Sequence, residues 1–239
     1  TLAAEPTDEG ESPTVTATWQ QILAADAAFK AQGVTPGGPK VIPFQPAPTT
    51  RRGLAGAGAA TPEPSAREGQ GPESPGSWIR AQVKRNFLAL PDNGAVIPPD
   101  TIGAVGPNHL MTMLNSEVRI QTKDGTNLGT ASLSAWWNHP PVTGSPFDPK
   151  VYYDIPAGRW IAVCDANGGA SSSKVFFAIS ATSDPTGTWY FKSYVADSQG
   201  TYWADFPSVG FNKNWIAIIN NMFTVSTDEY GGAKAWVID

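Results

Sequence analysis

The sequence predicts an all-β fold: a β-propeller of four-stranded antiparallel blades, two complete and part of a third, behind a leader with one short helix. The first observation is a unit of extended chain, tight turn and extended chain in PPDTIGAVGPNHLMTMLN (98–115). Pro107-Asn108 makes the turn, because proline fixes φ and asparagine tolerates tight-turn dihedrals. The unit returns as FDPKVYYDIPAGRWIAVCDAN (147–167) and DFPSVGFNKNWIAIINN (205–221). Each copy has an aspartate at or near its start, Asp100, Asp148 or Asp205, and a second strand opening on His109, Trp160 or Trp215. The aspartates lie 48 and 57 residues apart, a period that fits propeller blades or a similar array.

The second observation is the density of short strands around these units. Asp100–Gly106 and Leu110–Asn115 open the first. Glu117–Lys123 follows, with Val118 and Ile120 alternating with polar neighbours as in a half-buried strand. Asp124-Gly125 is a strong hairpin signal, and Leu128–Trp136 is the fourth strand. The second unit gives Lys150–Asp154, Trp160–Cys164, Lys174–Ser180 and Thr188–Tyr194. The third gives Ser208–Phe211, Trp215–Asn220 and Ala233–Ile238. Propellers have about four to eight blades. Two blades and most of a third therefore read as a piece of a longer protein, or as a ring that an oligomer completes. A small β-sandwich is the structural alternative.

The leader has a different composition. Residues 1–78 hold 11 of the 22 prolines, two of the nine tryptophans and none of the six tyrosines, so the ordered domain is placed at 79–239. Within 14–33, Trp19, Ile22, Leu23, Ala25 and Phe29 follow helical spacing in an Ala-rich segment. Thr16 or Thr18 would cap this helix and Gly33 would close it; Asp26 interrupts its apolar stripe. Such a helix docks on the main domain or belongs to a propeptide. Residues 34–76 have too few large apolar side chains to offset chain entropy and read as a disordered linker. Trp78–Leu90 is expected to be a strand leading in.

Charge and cysteine remove several function classes. The net charge is −5 and the basic residues are scattered, so nothing resembles the basic stripe of a nucleic-acid binder. No run of 18 apolar residues exists to span a membrane as a helix. Cys164 is the only cysteine, so no intramolecular disulfide forms, and its apolar run predicts a buried thiol rather than a nucleophile. The start at Thr1 shows no charged and apolar leader, so a signal peptide is expected to have been removed already or never to have existed. His109 and His139 are too far apart for a zinc motif, and His109 is read as packing. No G-x-S-x-G occurs to support a serine nucleophile.

SATSDPTGTW (180–189) resembles the Asp-box of sialidases and related propellers through Thr182, Asp184, Gly187, Thr188 and Trp189, with Pro185 and a changed spacing as departures. The resemblance implies a folding device: an aspartate bonding its own turn and a tryptophan packing between blades. PPDTIGAVGPNH, FDPKVYYDIPAGRW and ISATSDPTGTW together resemble a group of secreted bacterial propeller-repeat proteins over roughly 85–239. That resemblance implies export, to the medium, the periplasm or the cell surface.

The candidate site follows from propeller geometry. The first strand of each blade lines the axis, so Asp100, Asp148 and Asp205 are expected to ring the channel mouth. Asn115, Asp165, Asn167, Asn220 and Asn221, at the ends of second strands, would stand around them. Such carboxylates serve as acid and nucleophile for glycosidic bonds, as oxygen ligands for calcium, or as caps on their own turns. Trp137, in the Trp136–Pro141 excursion, and Trp203, just before Asp205, are the candidates for stacking on sugars. The leading expectation is a module that binds glycans or cell-surface polymers. A glycoside hydrolase using the axial carboxylates and a structural protein-interaction propeller are the alternatives.

Overall fold

The computed structural model describes residues 10–32 and 83–239. The boundary at residue 78, the linker at 34–76 and the closing role of Gly33 lie outside the described residues.

Among the described residues, twelve strands form three successive antiparallel sheets, with two helices beside them. The first sheet is β2 (Ile102–Val105), β3 (His109–Met113), β4 (Glu117–Thr122) and β5 (Asn127–Ser132), ordered as in sequence. The second is β6 (Pro146–Asp154), β7 (Arg159–Ala166), β8 (Lys174–Ser180) and β9 (Thr188–Val195), with β1 (Val15–Thr18) added outside β9. The third is β10 (Tyr202–Phe211), β11 (Ile216–Thr224) and β12 (Tyr230–Ile238). These are propeller-type blades, each opening on its innermost strand and meandering outward. The three described sheets do not close a ring.

Two apolar layers lie between the sheets. Met111, Met113, Val118 and Ile120 of the first sheet meet Trp160, Ala162, Phe176 and Phe191 of the second. Ile161, Val163, Val175 and Phe177 on the opposite face of the second sheet meet Ala204, Ile218 and Met222 of the third. Strand alternation explains the division: neighbours such as Ile161 and Ala162 must point to opposite faces.

The segment before the first sheet is part of this core. α1 (Trp19–Ala31) begins at Thr18, whose side chain and that of Gln21 form a capping box. Trp19 and Ile22 are buried. Trp19 Nε1 donates to the carbonyl of Leu128 at 3.0 Å. The helix sits against Gly129, where an added Cβ would stand 2.8 Å from Leu23 Cδ1 and 2.9 Å from Trp19 Nε1. Asp26, which breaks the apolar stripe in sequence, is buried and accepts from the backbone N–H of Ser132 at 3.1 Å. It also pairs with Lys30 at 2.6 Å. The helix docks through this polar contact as well as through its apolar face.

Two strand expectations are corrected. Residues 83–90 form no strand; the carbonyl of Ala89 is instead taken by the Arg119 guanidinium at 2.9 Å. The strand expected over 128–136 ends at Ser132, whose Oγ accepts from Ala135 N and starts the helix α2 (Leu133–Trp137). That turn changes the fate of Trp136 and Trp137. Both are buried, with Trp136 ring centroids 4.8 Å from Trp189 and 5.8 Å from Trp19.

Among the described residues, no helix is long and apolar enough to cross a membrane.

Candidate functional site

The pairing registers give the residue-by-residue equivalence of the three blades. Ile102 pairs with Met113, Lys150 with Val163, and Ser208 with Ile219. Two residues before each of these first-strand positions stand Asp100, Asp148 and Phe206. All three have positive φ, at 45°, 52° and 57°. In the second and third sheets this residue lies in a bulge, where the register shifts between Phe147 and Lys150 and between Asp205 and Ser208. Left-handed backbone is unusual for aspartate and a genuine outlier for phenylalanine. Bulges of this kind re-aim side chains beside functional sites.

The expected ring of equivalent aspartates is therefore corrected by one residue. Asp100 and Asp148 are counterparts, but their counterpart in the third blade is Phe206. Asp205 precedes it and pairs with Asn221. The second strands shift too. Trp160 pairs with Tyr153 and corresponds to Leu110 and Ile216, while Trp215 is half exposed in the turn before β11.

An axial pocket of about 400 Å³ opens between the first strands of all three sheets. Its wall includes Asp100, Ile102, Lys150, Tyr152, Phe206 and Ser208. Phe206 is 57% exposed, and the Lys150 ammonium lies 5.0 Å from its ring centroid. Asp100 is held from behind by Asn115, whose Nδ2 donates to Asp100 Oδ2 at 2.6 Å and to the carbonyl of Pro98 at 2.9 Å. Asn115 Oδ1 accepts from the backbone N–H of Asp148 at 2.6 Å, tying the first blade to the second. Sequence reasoning missed Lys150, Tyr152 and Phe206. The Phe206-Pro207 step matches Asp148-Pro149 once the bulge is counted, and that was the available signal.

The carboxylates influence one another. Asp148 is buried, its Oδ1 has no partner, and its carboxyl neighbours that of Asp100. Burial first, then the neighbouring Asp100 carboxyl and the charge of Asp205, push its carboxyl up to about 7. Asp205 is also raised, chiefly by burial. Asp165 is fully buried, and burial followed by the charges of Asp205 and Asp148 holds it well above the usual carboxylate range.

Other expected site residues are occupied by structural bonds. Asn220 Nδ2 donates to Asp165 Oδ1 and Oδ2 at 2.6 and 2.7 Å, joining the second blade to the third. Asn167, at φ 58°, accepts from Ser145 N and donates to the carbonyl of Ser172. The two stacking candidates are corrected as well. Trp137 is 1% exposed, because α2 turns it into the layer with Phe176 and Phe191. Trp203 is 9% exposed, with its ring 5.4 Å from Phe223 and its Nε1 bonded to Asp228.

The Asp-box-like turn is a folding device, as expected. Asp184 Oδ1 accepts from the backbone and hydroxyl of Thr186, and the buried Trp189 donates to the carbonyl of Pro185 at 2.8 Å. His109 Nδ1 lies 3.9 Å from Asp184 Oδ1, at the junction between the first two blades. Cys164 is buried, which pushes its thiol up and keeps it protonated. Among the described residues, no group of three or more His, Cys, Asp or Glu side chains is placed to hold a metal ion.

No family profile matches the sequence, and a comparison with curated proteins finds no match. Solved structures with a partial likeness include an exo-1,5-α-L-arabinanase from a bovine ruminal metagenomic library, at 13% identity and a TM-score of 0.36. The alignment covers 56% of this chain and 52% of that one. Another is the xyloglucan PUL GH43B of Bacteroides ovatus, at 14% identity and a TM-score of 0.31, covering 57% of this chain and 30% of that one. The chain thus spans about half or less of these structures, and nothing about chemistry follows from likenesses of this size.

Proposed function

We propose that the axial pocket is a binding site for neutral glycans. The observation that carries this reading is Phe206, an aromatic ring held more than half exposed on a left-handed bulge at the wall of the 400 Å³ pocket, beside Asp100 and Lys150. An apolar ring face with acceptors and a donor around it suits a sugar, which offers C–H groups on one face and hydroxyls at its rim. Asp100 accepts from hydroxyls while Asn115 fixes its orientation. Four aspartates near the axis against Lys150 disfavour a polyanionic ligand such as a uronic-acid polymer. The expectation of calcium remains a secondary proposal: the same oxygens suit it in kind.

Affinity electrophoresis against neutral and acidic polysaccharides tests the reading. Retardation by a neutral polymer, abolished by Phe206→Ala and by Asp100→Ala, is the expected result. Migration unaffected by every polymer would remove the proposal.

Hydrolysis is the second reading, favoured by one observation: the buried Asp148 carboxyl, pushed up to about 7, neighbours Asp100 on the wall of an open pocket. One carboxylic acid and one carboxylate are the chemical requirements of glycoside cleavage. Reducing-sugar release that disappears in Asp148→Asn would move the function to this class.

A further inference from the structure

A smaller cavity, of about 180 Å³, is bordered by Ala196, Asp197, Tyr202, Met222, Gly232 and Lys234. Strand register explains its position. Ile218 pairs with Trp236, Asn220 with Lys234 and Met222 with Gly232, so alternation turns all six residues to one side. That side belongs to the seam with the second blade: Ile218, Met222 and Trp236 pack with Val163 and Phe177, and Asn220 bonds Asp165. Lys234 and Trp236 bring long side chains to the seam. Gly232 brings none, and a Cβ built on it would meet nothing within 4 Å. The cavity is the room this glycine leaves, walled on its other side by Ala196 and Asp197 in the loop between β9 and β10.

Lys234 gives the cavity its chemistry. Its ammonium turns back into the seam, donating to the carbonyl of the fully buried Ala196 at 2.7 Å and standing 4.9 Å from the Trp236 ring centroid. That carbonyl takes one of its three N–H donors. Among the described residues, no carboxylate oxygen lies within 4.0 Å of the ammonium. Asp197 is its charged neighbour, but that carboxylate serves its own loop. It accepts from the backbone N–H groups of Gln199, Thr201 and Tyr202 at 3.4, 2.7 and 3.2 Å. Burial pulls the Lys234 ammonium below its usual range, against the opposing charge of Asp197. A cation held this way, without a bonded counter-ion, is stabilised by an anion that reaches it.

We infer that this cavity binds a small monocarboxylate, with its carboxylate on Lys234 and its short carbon chain against Met222 and Tyr202. Size sets the upper limit. A volume of about 180 Å³ matches about six waters at about 30 Å³ each, and falls below the range of about 300–1,000 Å³ for larger ligands. Charge sets the class: Lys234 offers one positive charge and Asp197 opposes a second negative one, so a phosphate dianion fits less well. The cavity shares no residue with the axial pocket, so the two sites are read separately.

The three methionines of the chain supply a test with internal controls. Met222 borders the cavity, while Met111 and Met113 are buried in the layer between the first and second sheets. Methyl NMR of the chain labelled at its methionine methyls is followed during titration with sodium acetate and sodium lactate. Sodium chloride and sodium phosphate at matched ionic strength are the comparisons. The Met222 signal should move saturably with acetate or lactate while Met111 and Met113 stay in place. Lys234→Gln should weaken that binding at least about tenfold, with unchanged Met111 and Met113 signals reporting an intact fold. A Met222 signal that neither carboxylate moves, that chloride moves equally, or that titrates as before in Lys234→Gln overturns the inference. Saturation by phosphate alone overturns it as well, because the ligand would then be another class of anion.

Discussion

The side-chain amide of Asn220 donates to both oxygens of Asp165, at 2.6 and 2.7 Å, across the seam between the second and third blades. Both residues are buried, so the amide is the main relief for a carboxyl group without access to water. Replacing Asn220 with alanine should cost about 1–3 kcal/mol, the usual penalty for leaving a buried polar group unpartnered. Urea denaturation measures it. The double variant Asn220→Leu, Asp165→Leu should recover part of the loss, because it removes both members.

Acidity should stabilise the protein down to moderately low pH. Asp148 is raised from 3.8 to about 7, so between those values the folded state binds a proton that the unfolded state does not. The stability from this group is complete below about pH 4 and is lost as pH rises through about 7. Asp165 and Asp205 are raised too and act in the same direction. The melting temperature should be higher at pH 5 than at pH 8. Asp148→Asn should shrink that difference, and an unchanged difference would remove Asp148 as its source.

At the acid end Asp26 has the opposite sign. Burial alone would raise it, but the Lys30 ammonium and the groups of Ser132 outweigh burial and hold it below its usual value. Its contribution is present above about pH 4 and lost as pH falls. Asp26→Ala should therefore cost about 1–3 kcal/mol at pH 7 by stranding the Ser132 amide, and less at pH 3. Lys30 is exposed, so Lys30→Ala should cost about 0–1 kcal/mol.

Gly129 tests the docking of α1 independently of charge. Its φ of 135° and the Leu23 and Trp19 atoms within 3 Å of any Cβ leave no room for a side chain. Gly129→Ala should detach the helix, raise the hydrogen exchange of residues 19–31 and lower the melting temperature. Protection equal to wild type would show that the helix is held elsewhere.

Much of the blade architecture was legible because turns and alternation are local. Pro107-Asn108, Asp124-Gly125 and the apolar runs at 160–164 and 174–180 mark the strands without knowledge of partners. The site was less legible. A bulge inserts one residue and reverses which side chains face the axis, so matching Asp205 to Asp148 by type concealed Phe206. Trp137 was misread because Ser132 caps a short helix within an apparently extended apolar run. Asp26 looked like a flaw in a helical stripe until its partner, Ser132, was supplied by a distant strand.

The most direct measurement is saturation-transfer NMR with neutral oligosaccharides on wild type and Phe206→Ala. Phe206 is exposed, so the substitution should leave the melting temperature unchanged. The account predicts transfer to sugar ring protons in wild type and at least about tenfold weaker binding in the variant, a change of about 1.4 kcal/mol. Equal transfer in both proteins, or none to any oligosaccharide in wild type, would contradict it.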